Sequence, residues 1–176
     1  MIENPSEATQ IPTKYIQGSI GSLKGTFDGS WNIKDRTRSL QLTFVNLTSE
    51  AVIIEDTYFD SGTWFNSWSS EIKGGVIMQG TVANSQGSVF TGVTGGLRLS
   101  IKGTGIYVYV AFNNPFSGTY KHYGELSSSW QPASYAYNKS EHNSSKDAFY
   151  DGYRLQVVQA TSPIAQMAFV YQLSKA

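Results

Sequence analysis

Apolar and polar residues alternate with a period of two in several segments between residue 39 and the C-terminus. In β-strands successive side chains point to opposite faces of the sheet, so this pattern predicts half-buried strands whose apolar faces share one core. The alternating apolar residues are Leu40, Leu42 and Phe44, then Leu97, Leu99 and Ile101, and finally Met167, Phe169, Tyr171 and Leu173.

Other segments are more continuously apolar, which is typical of strands near the middle of a sandwich. They run from Ala51 to Tyr58, from Gly75 to Val82 and from Ile106 to Phe112. Residues 132–150 break the pattern, and we interpret them as a surface excursion with one short helix. Because short strands recur without long helical patterns between them, we predict an all-β chain, an antiparallel β-sandwich with one or two short flanking helices.

The N-terminal residues 1–33 carry a different pattern. Placed at about 100° per residue, large apolar side chains fall within an arc of about 80°, and glycines fall in a similar arc diametrically opposite. The apolar residues are Ile16, Ile20, Leu23, Phe27 and Trp31, and the glycines are Gly18, Gly21, Gly25 and Gly29. Interior glycines each cost a helix roughly 0.8–1 kcal/mol relative to alanine, so a helix is expected only against an apolar partner or a bilayer. Over residues 16–33 it would be about 27 Å long, close to the hydrocarbon thickness of a membrane.

The same segment is also compatible with a Gly-rich edge strand, because residues 23–31 alternate between apolar or glycine and polar positions. We predict an amphipathic, membrane-inserting segment over residues 1–33, whose polar start at residues 1–11 has the composition of a linker. Residues 34–176 are then the sandwich, and the two parts form a single compact domain.

Composition narrows the range of functions. The chain has 13 basic and 13 acidic residues, and this net charge of zero lacks the basic surface of a nucleic-acid-binding protein. Cysteine is absent, which excludes disulfides, thiolate metal sites and cysteine nucleophiles. No apolar run reaches the length of about 18 residues that spans a bilayer, so membrane contact is expected to be interfacial or coupled to folding.

The residue types of catalytic sites are present without the required spacing. His122 and His142 lack metal-ligand spacing. Glu55 and Asp56 are adjacent, so a strand would send them to opposite faces and they would not form an acid and base pair. The glycines within residues 92–96 precede a strand and not a helix, unlike a phosphate-binding loop. We therefore predict no enzymatic activity, no cofactor and no metal site.

Aromatic residues are concentrated in segments that we interpret as loops rich in Gly, Ser and Asn. They are Trp64, Phe65 and Trp68, followed by Phe116, Tyr120, Tyr123, Trp130, Tyr135 and Tyr137. Exposed aromatic rings belong at membrane–water interfaces or in cages that hold a quaternary ammonium. For any single ring a place in the core remains the alternative, but the clustering favours a binding surface.

Several motifs occur in an order and spacing that resembles the actinoporin family, the α-pore-forming cytolysins of sea anemones with relatives in other phyla. The resemblance extends from about residue 36 to the C-terminus. Its first motifs are Arg38-Ser39-Leu40-Gln41-Leu42, Asn46-Leu47-Thr48-Ser49 and Tyr58-Phe59-Asp60-Ser61-Gly62-Thr63, the last being similar to the family's YFxSGT. They are followed by Thr91-Gly92-Val93-Thr94-Gly95, Val110-Ala111-Phe112-Asn113-Asn114-Pro115-Phe116, Gly152-Tyr153-Arg154-Leu155 and, at the C-terminus, Ser174-Lys175-Ala176.

This resemblance implies a lipid-binding β-sandwich and an N-terminal segment that detaches, inserts and oligomerises. By position it implies a phosphocholine pocket lined by Ser61, Thr94, Asn113, Pro115, Tyr120, Tyr135 and Tyr137. Trp64, Phe65, Trp68, Phe116, Tyr123 and Trp130 are the aromatics expected at the membrane interface. The implied protein is a secreted, hemolytic toxin that acts on the target-cell membrane. Its partners would be membrane lipids, with a phosphocholine-type headgroup or a glycolipid, and further copies of itself.

The chain also departs from the family. The tandem-Trp loop is replaced by Thr119-Tyr120-Lys121-His122-Tyr123, and the Arg-rich segment and RGD triplet are missing. Lys121 and His122 point to a different anionic headgroup or a sugar. The alternative function is a carbohydrate-binding lectin of the fungal fruit-body type, which shares this sandwich and would stack sugars on aromatic loops.

Overall fold

The computed structural model describes residues 8–10, 36–142, 145–162 and 164–176. In this part of the chain two β-sheets enclose a shared apolar core, and a short helix packs on the second sheet. The predicted all-β sandwich is thereby confirmed. The predicted membrane-inserting residues Ile16, Ile20, Leu23, Phe27 and Trp31 lie outside the described ranges.

The described elements are given in chain order. The first strands are β1 (Ala8–Gln10), β2 (Ser39–Asn46), β3 (Val52–Ser61), β4 (Thr63–Asn66), β5 (Glu71–Ile72), β6 (Val76–Ala83), β7 (Val93–Ile101), β8 (Ile106–Asn114) and β9 (Lys121–Ser127). After them come helix α1 (Ser134–Asn138) and the strands β10 (Ser145–Tyr150), β11 (Tyr153–Ala160) and β12 (Met167–Lys175).

These strands form two sheets. The first has the order β1-β6-β2-β12-β11-β10, with β4 also paired to β6, and the second has the order β5-β3-β7-β8-β9. The pairs are antiparallel except for β2 and β12, which run parallel with Leu40 aligned to Met167. The other described pairs are antiparallel, as we predicted, and the one parallel pair joins the first long strand to the last strand of the described fold.

The core lies between the two sheets and is built from the alternating residues that the sequence indicates. Leu42 and Phe44 of β2 and Leu97 and Leu99 of β7 are fully buried in one cluster. The alternation therefore identified the inward faces of these strands correctly, and the opposite faces are left to carry polar residues.

Some segments that we predicted as loops are strands. Thr63–Asn66 pairs with β6, and Ser145–Tyr150, which we placed in a surface excursion, pairs with β11. Lys121–Ser127 is the last strand of the second sheet. Its inward positions are His122, Gly124 and Leu126, so it lacks a run of large apolar residues and shows little of the usual alternation. Ala8–Gln10, within the predicted linker, pairs with β6.

Trp68 is a core residue and not a surface aromatic. It is only 5% exposed, and its ring lies edge-on to Phe44 and Tyr171, with centroid distances of 5.9 and 6.3 Å. Its indole Nε1 donates a hydrogen bond of 2.9 Å to the Leu42 carbonyl oxygen. The predicted place of Trp68 at a membrane interface is therefore corrected, because the indole has both its apolar contacts and its hydrogen-bond acceptor inside the protein.

Candidate functional site

The register of the second sheet places polar residues in one row across its outer face. Ser61 of β3 aligns with Thr94 of β7, Thr94 aligns with Asn113 of β8, and Asn113 aligns with Lys121 of β9. The residues that precede Thr94 and Asn113 belong to the core, so these two side chains point away from it. We call these residues the polar row. With neighbouring strands about 4.8 Å apart, the row spans roughly 14 Å.

The middle of the polar row contains buried polar atoms without partners. Thr94 is 6% exposed and Asn113 is 8% exposed. Thr94 Oγ1 and Asn113 Oδ1 have no hydrogen-bond partner among the described residues, whereas Ser61 donates from Oγ to the Gly92 carbonyl oxygen at 2.8 Å. Such atoms are rare because each costs roughly 1–3 kcal/mol. Two of them on adjacent strands indicate a position suited to a polar ligand.

Helix α1 packs closely on the sheet beside this row because the residues beneath it are small. A Cβ atom at Gly96 would lie 2.6 Å from the Ala133 carbonyl oxygen and 3.1 Å from the Tyr137 nitrogen. Ala111, which aligns with Gly96 on β8, is fully buried in a cluster with Ala136 of the helix. This close approach fixes the helix on the sheet and sets Tyr137 next to the polar row.

Tyr137 forms an aromatic–carboxylate group with Tyr58 and Asp60, which we call the Asp60 cluster. The two rings are 5.6 Å apart between centroids. Tyr137 donates from its hydroxyl to Asp60 Oδ2 at 3.0 Å, and Tyr58 donates to Oδ1 at 3.3 Å. Burial, reinforced by the Asp60 carboxylate, raises the pKa of Tyr137. The nearby Thr94 hydroxyl acts to lower this pKa, although it does not lie in hydrogen-bond geometry. A carboxylate between two rings is an arrangement that attracts an organic cation.

Tyr135 lies on the other side of α1, since residues two apart on a helix differ by about 200° in direction. Its hydroxyl donates to Glu125 Oε1 at 3.3 Å, and Tyr123 donates to Oε2 of the same carboxylate at 3.0 Å. Burial and then the Glu125 carboxylate raise the pKa of Tyr123 well above its usual value. The structure therefore does not bring Tyr135 and Tyr137 together as two walls of one pocket. Of these two tyrosines, Tyr137 borders the polar row and Tyr135 does not.

The residues before and after Lys121 point away from the polar row. Tyr120 packs against the core cluster, because strand alternation sends it to the side opposite Lys121. His122 is fully buried, with its ring 5.6 Å from that of Phe169, so its predicted contact with a headgroup is corrected. Lys121 stays at the outer face, and Pro115 directly follows β8 at the same end of the sheet.

The other aromatics expected at the membrane interface do not form one surface. Trp64 is half-buried against the core, and Phe65 is half-buried with the Arg36 guanidinium 5.3 Å above its ring. Phe116 is exposed just beyond the polar row. Trp130 is exposed but packs on Arg98, at a centroid distance of 4.8 Å.

Arg98 aligns with Asp56 and Tyr109, farther along the second sheet than the polar row. Trp130 and Phe116 are therefore associated with different parts of the same sheet. A single membrane-facing surface cannot be assigned to the whole set of predicted aromatics.

Sequence reasoning did not identify Tyr58 and Asp60 as site residues. Asp60 lies where the pairing of β3 with β7 is irregular, between Phe59 and Ser61, and regular alternation does not predict the direction of its side chain. The sequence feature that could have identified Asp60 is that it is a carboxylate within the Tyr58–Thr63 motif.

Two further features concern metal ions and membrane-spanning helices. The described ranges contain no group of three or more His, Asp or Glu side chains that could hold a metal ion. They also contain no helix that is both long and apolar enough to cross a membrane.

Comparison with protein-family models gives no match, and no curated protein matches. Among solved structures, the chain is similar to the crystal structure of lipid binding protein Nakanori, with a TM-score of 0.67 and 14% identity. The match covers 78% of this chain and 71% of that chain. At this level of identity the similarity establishes a shared fold, and the β-sandwich described above is therefore also the fold of a lipid binding protein.

Proposed function

We propose that this protein binds the headgroups of membrane lipids on the outer face of its second sheet, and that the headgroup is of the phosphocholine type. The observation that carries the proposal is that the Asp60 cluster adjoins the polar row. One part of the surface offers a carboxylate and aromatic rings, and the next offers hydroxyl, amide and ammonium groups. The similarity in fold to a lipid binding protein supports the same function.

The two parts suit the two charges of a zwitterion. The choline cation fits against the rings of Tyr58 and Tyr137, next to the Asp60 carboxylate. Thr94 and Asn113 supply hydrogen-bonding groups for the phosphate, and Lys121 supplies a positive charge without a carboxylate partner in the described ranges. Opposite charges a short distance apart distinguish such a headgroup from a simple cation or a simple anion.

Removing both rings of the cluster tests this proposal. The double variant Tyr58→Ala/Tyr137→Ala is expected to bind phosphatidylcholine vesicles at least about fivefold more weakly, because each cation–π contact contributes roughly 0.5–2 kcal/mol. Vesicle co-sedimentation and titration with free phosphocholine measure the change. Tyr107→Ala, on the same outer face but farther from the polar row, is the matched control.

A lectin function is the competing assignment, and a glycan array separates the two. A sugar would stack on the rings and use neutral hydrogen bonds, whereas the Asp60 carboxylate between two rings favours a cation. Binding to a glycan array that free sugar inhibits and phosphocholine does not would overturn the lipid assignment.

We further propose that the protein is a secreted, non-enzymatic cytolysin that oligomerises on the target-cell membrane and inserts its N-terminal segment. The apolar stripe within residues 16–33 supports this proposal. Phe27→Asp places a charge on that stripe and is expected to abolish dye release from phosphatidylcholine vesicles while vesicle binding is retained. Ser22→Asp adds the same charge on the other face, and this variant should release dye from vesicles as the wild type does. Equal leakage from both variants would contradict insertion by this segment.

A further inference from the structure

We infer that the loops beyond the polar row form an apolar wedge, made by Val89, Phe90 and Phe116, that enters the interface of a phospholipid bilayer. Arg38 lies at the base of this wedge, where lipid phosphates would meet it. The inference rests on the proposed lipid-binding function. It adds a second point of contact with the membrane, separate from the headgroup pocket.

The wedge consists of apolar side chains that the fold leaves in solvent. Phe90 is 76% exposed, Val89 is 51% exposed and Phe116 is 46% exposed. The rings of Phe90 and Phe116 touch each other, with centroids 5.6 Å apart, so two separate loops contribute to one apolar cluster. Clusters of this kind mark sites of interaction, whereas single exposed apolar residues do not.

Hydrogen bonds hold the loop that carries Phe90, so the exposure of Phe90 is part of the folded structure. Asn84 is fully buried, and its Nδ2 donates to Thr37 Oγ1 at 2.6 Å and to the Ser88 carbonyl oxygen at 2.8 Å. Its Oδ1 accepts a hydrogen bond of 3.1 Å from the backbone nitrogen of Arg38. Thr37 also donates to the Ser88 carbonyl oxygen at 3.0 Å. These bonds hold the residue before Val89 against the sandwich and limit any folding back of the tip.

Arg38 gives the wedge the polarity of a membrane-interface group. Its guanidinium carbon lies 5.8 Å from the centre of the Phe116 ring, and the group donates to the carbonyl oxygens of Thr37 and Phe116. No carboxylate neutralises it within the described ranges. A cation next to exposed apolar side chains is the arrangement found where protein meets the headgroup region, and a guanidinium has the donors to bind phosphate.

The wedge and the headgroup pocket lie at the same end of the second sheet. At Gly92 a Cβ atom would lie 2.9 Å from the backbone nitrogen of Phe116, which shows how closely the two loops approach. The Gly92 carbonyl oxygen also accepts the hydrogen bond from Ser61 of the polar row. One bilayer surface can therefore contact the wedge and supply the headgroup.

Phe149 provides a matched control elsewhere on the molecule. It is 63% exposed and pairs with Arg154 at 5.8 Å, as Phe116 does with Arg38. It differs in that it lies on β10, at the far edge of the first sheet, and that Asp147 neutralises Arg154 at 3.0 Å.

The test compares full-length Phe90→Ser/Phe116→Ser with Phe149→Ser in co-sedimentation with phosphatidylcholine vesicles. Free phosphocholine is titrated into each variant in parallel. The double variant is expected to bind vesicles at least about tenfold more weakly with unchanged affinity for free phosphocholine, because burial of exposed aromatic surface contributes only at the bilayer. Phe149→Ser is expected to behave like the wild type, and Arg38→Gln to weaken vesicle binding alone.

Unchanged vesicle binding by the double variant would overturn the inference, and so would an equal loss in Phe149→Ser. A further outcome is that the double variant loses vesicle binding while the wild type does not bind free phosphocholine. That outcome would support the wedge and contradict the headgroup proposal. The two proposals therefore fail in distinguishable ways.

Discussion

Gly96→Val is expected to abolish detectable phosphocholine binding while the sandwich remains folded. Valine suits a β-strand, but even its Cβ atom would lie 2.6 Å from the Ala133 carbonyl oxygen. Helix α1 must then move off the sheet, and Tyr137 moves away from Asp60 with it. Titration with phosphocholine measures the loss, and far-ultraviolet circular dichroism reports whether the strands persist.

Ser100→Val is the control for this substitution. Ser100 lies on the same strand and is four residues from Gly96, so it points to the same face but beyond the short helix. The Ser100→Val variant should bind phosphocholine with the affinity of the wild type. A folded Gly96→Val protein with full affinity would show that the position of α1 does not determine the site.

Trp68→Ala is expected to reduce the free energy of unfolding by roughly 3–5 kcal/mol, the cost of removing a large aromatic side chain from a packed core. The contacts of the ring with Phe44 and Tyr171 are lost, together with the hydrogen bond from the indole nitrogen to the Leu42 carbonyl oxygen. Urea unfolding followed by circular dichroism measures this change. Trp130→Ala, at a position that is 59% exposed, should cost much less.

Trp68→Phe separates packing from hydrogen bonding at the same position. It keeps an aromatic ring but removes the hydrogen bond from the indole nitrogen to the Leu42 carbonyl oxygen, which costs roughly 0.5–1.5 kcal/mol. A cost as small as that of Trp130→Ala for both Trp68 variants would contradict the assignment of Trp68 to the core.

The sequence predicts the strands whose inward residues are large and apolar, such as β2 and β7, because burial imposes a period of two on them. It does not predict β9, where His122 and Gly124 occupy inward positions. Trp68 was misplaced for a related reason. Its neighbours in the chain are polar, and only the tertiary fold shows that the Leu42 carbonyl oxygen is available to its indole nitrogen.

The candidate site could be predicted only in part. Sequence motifs indicated Ser61, Thr94 and Asn113, and the register of three strands places these residues in one row. The positions of the tyrosines depend on single-residue differences that motifs do not carry. One residue of register sends Tyr120 inward, and half a turn of helix places Tyr135 on the side away from the row.

The hydrogen bonds of Asn84 have a further consequence for how the chain is tethered. Arg36 donates from its guanidinium to the Asn84 carbonyl oxygen at 2.7 Å, so residue 36 is held close to the wedge. If the N-terminal segment inserts as proposed above, the chain before residue 36 would begin beside the lipid surface once the wedge is in contact with it. The body would then not have to rotate for insertion to follow binding.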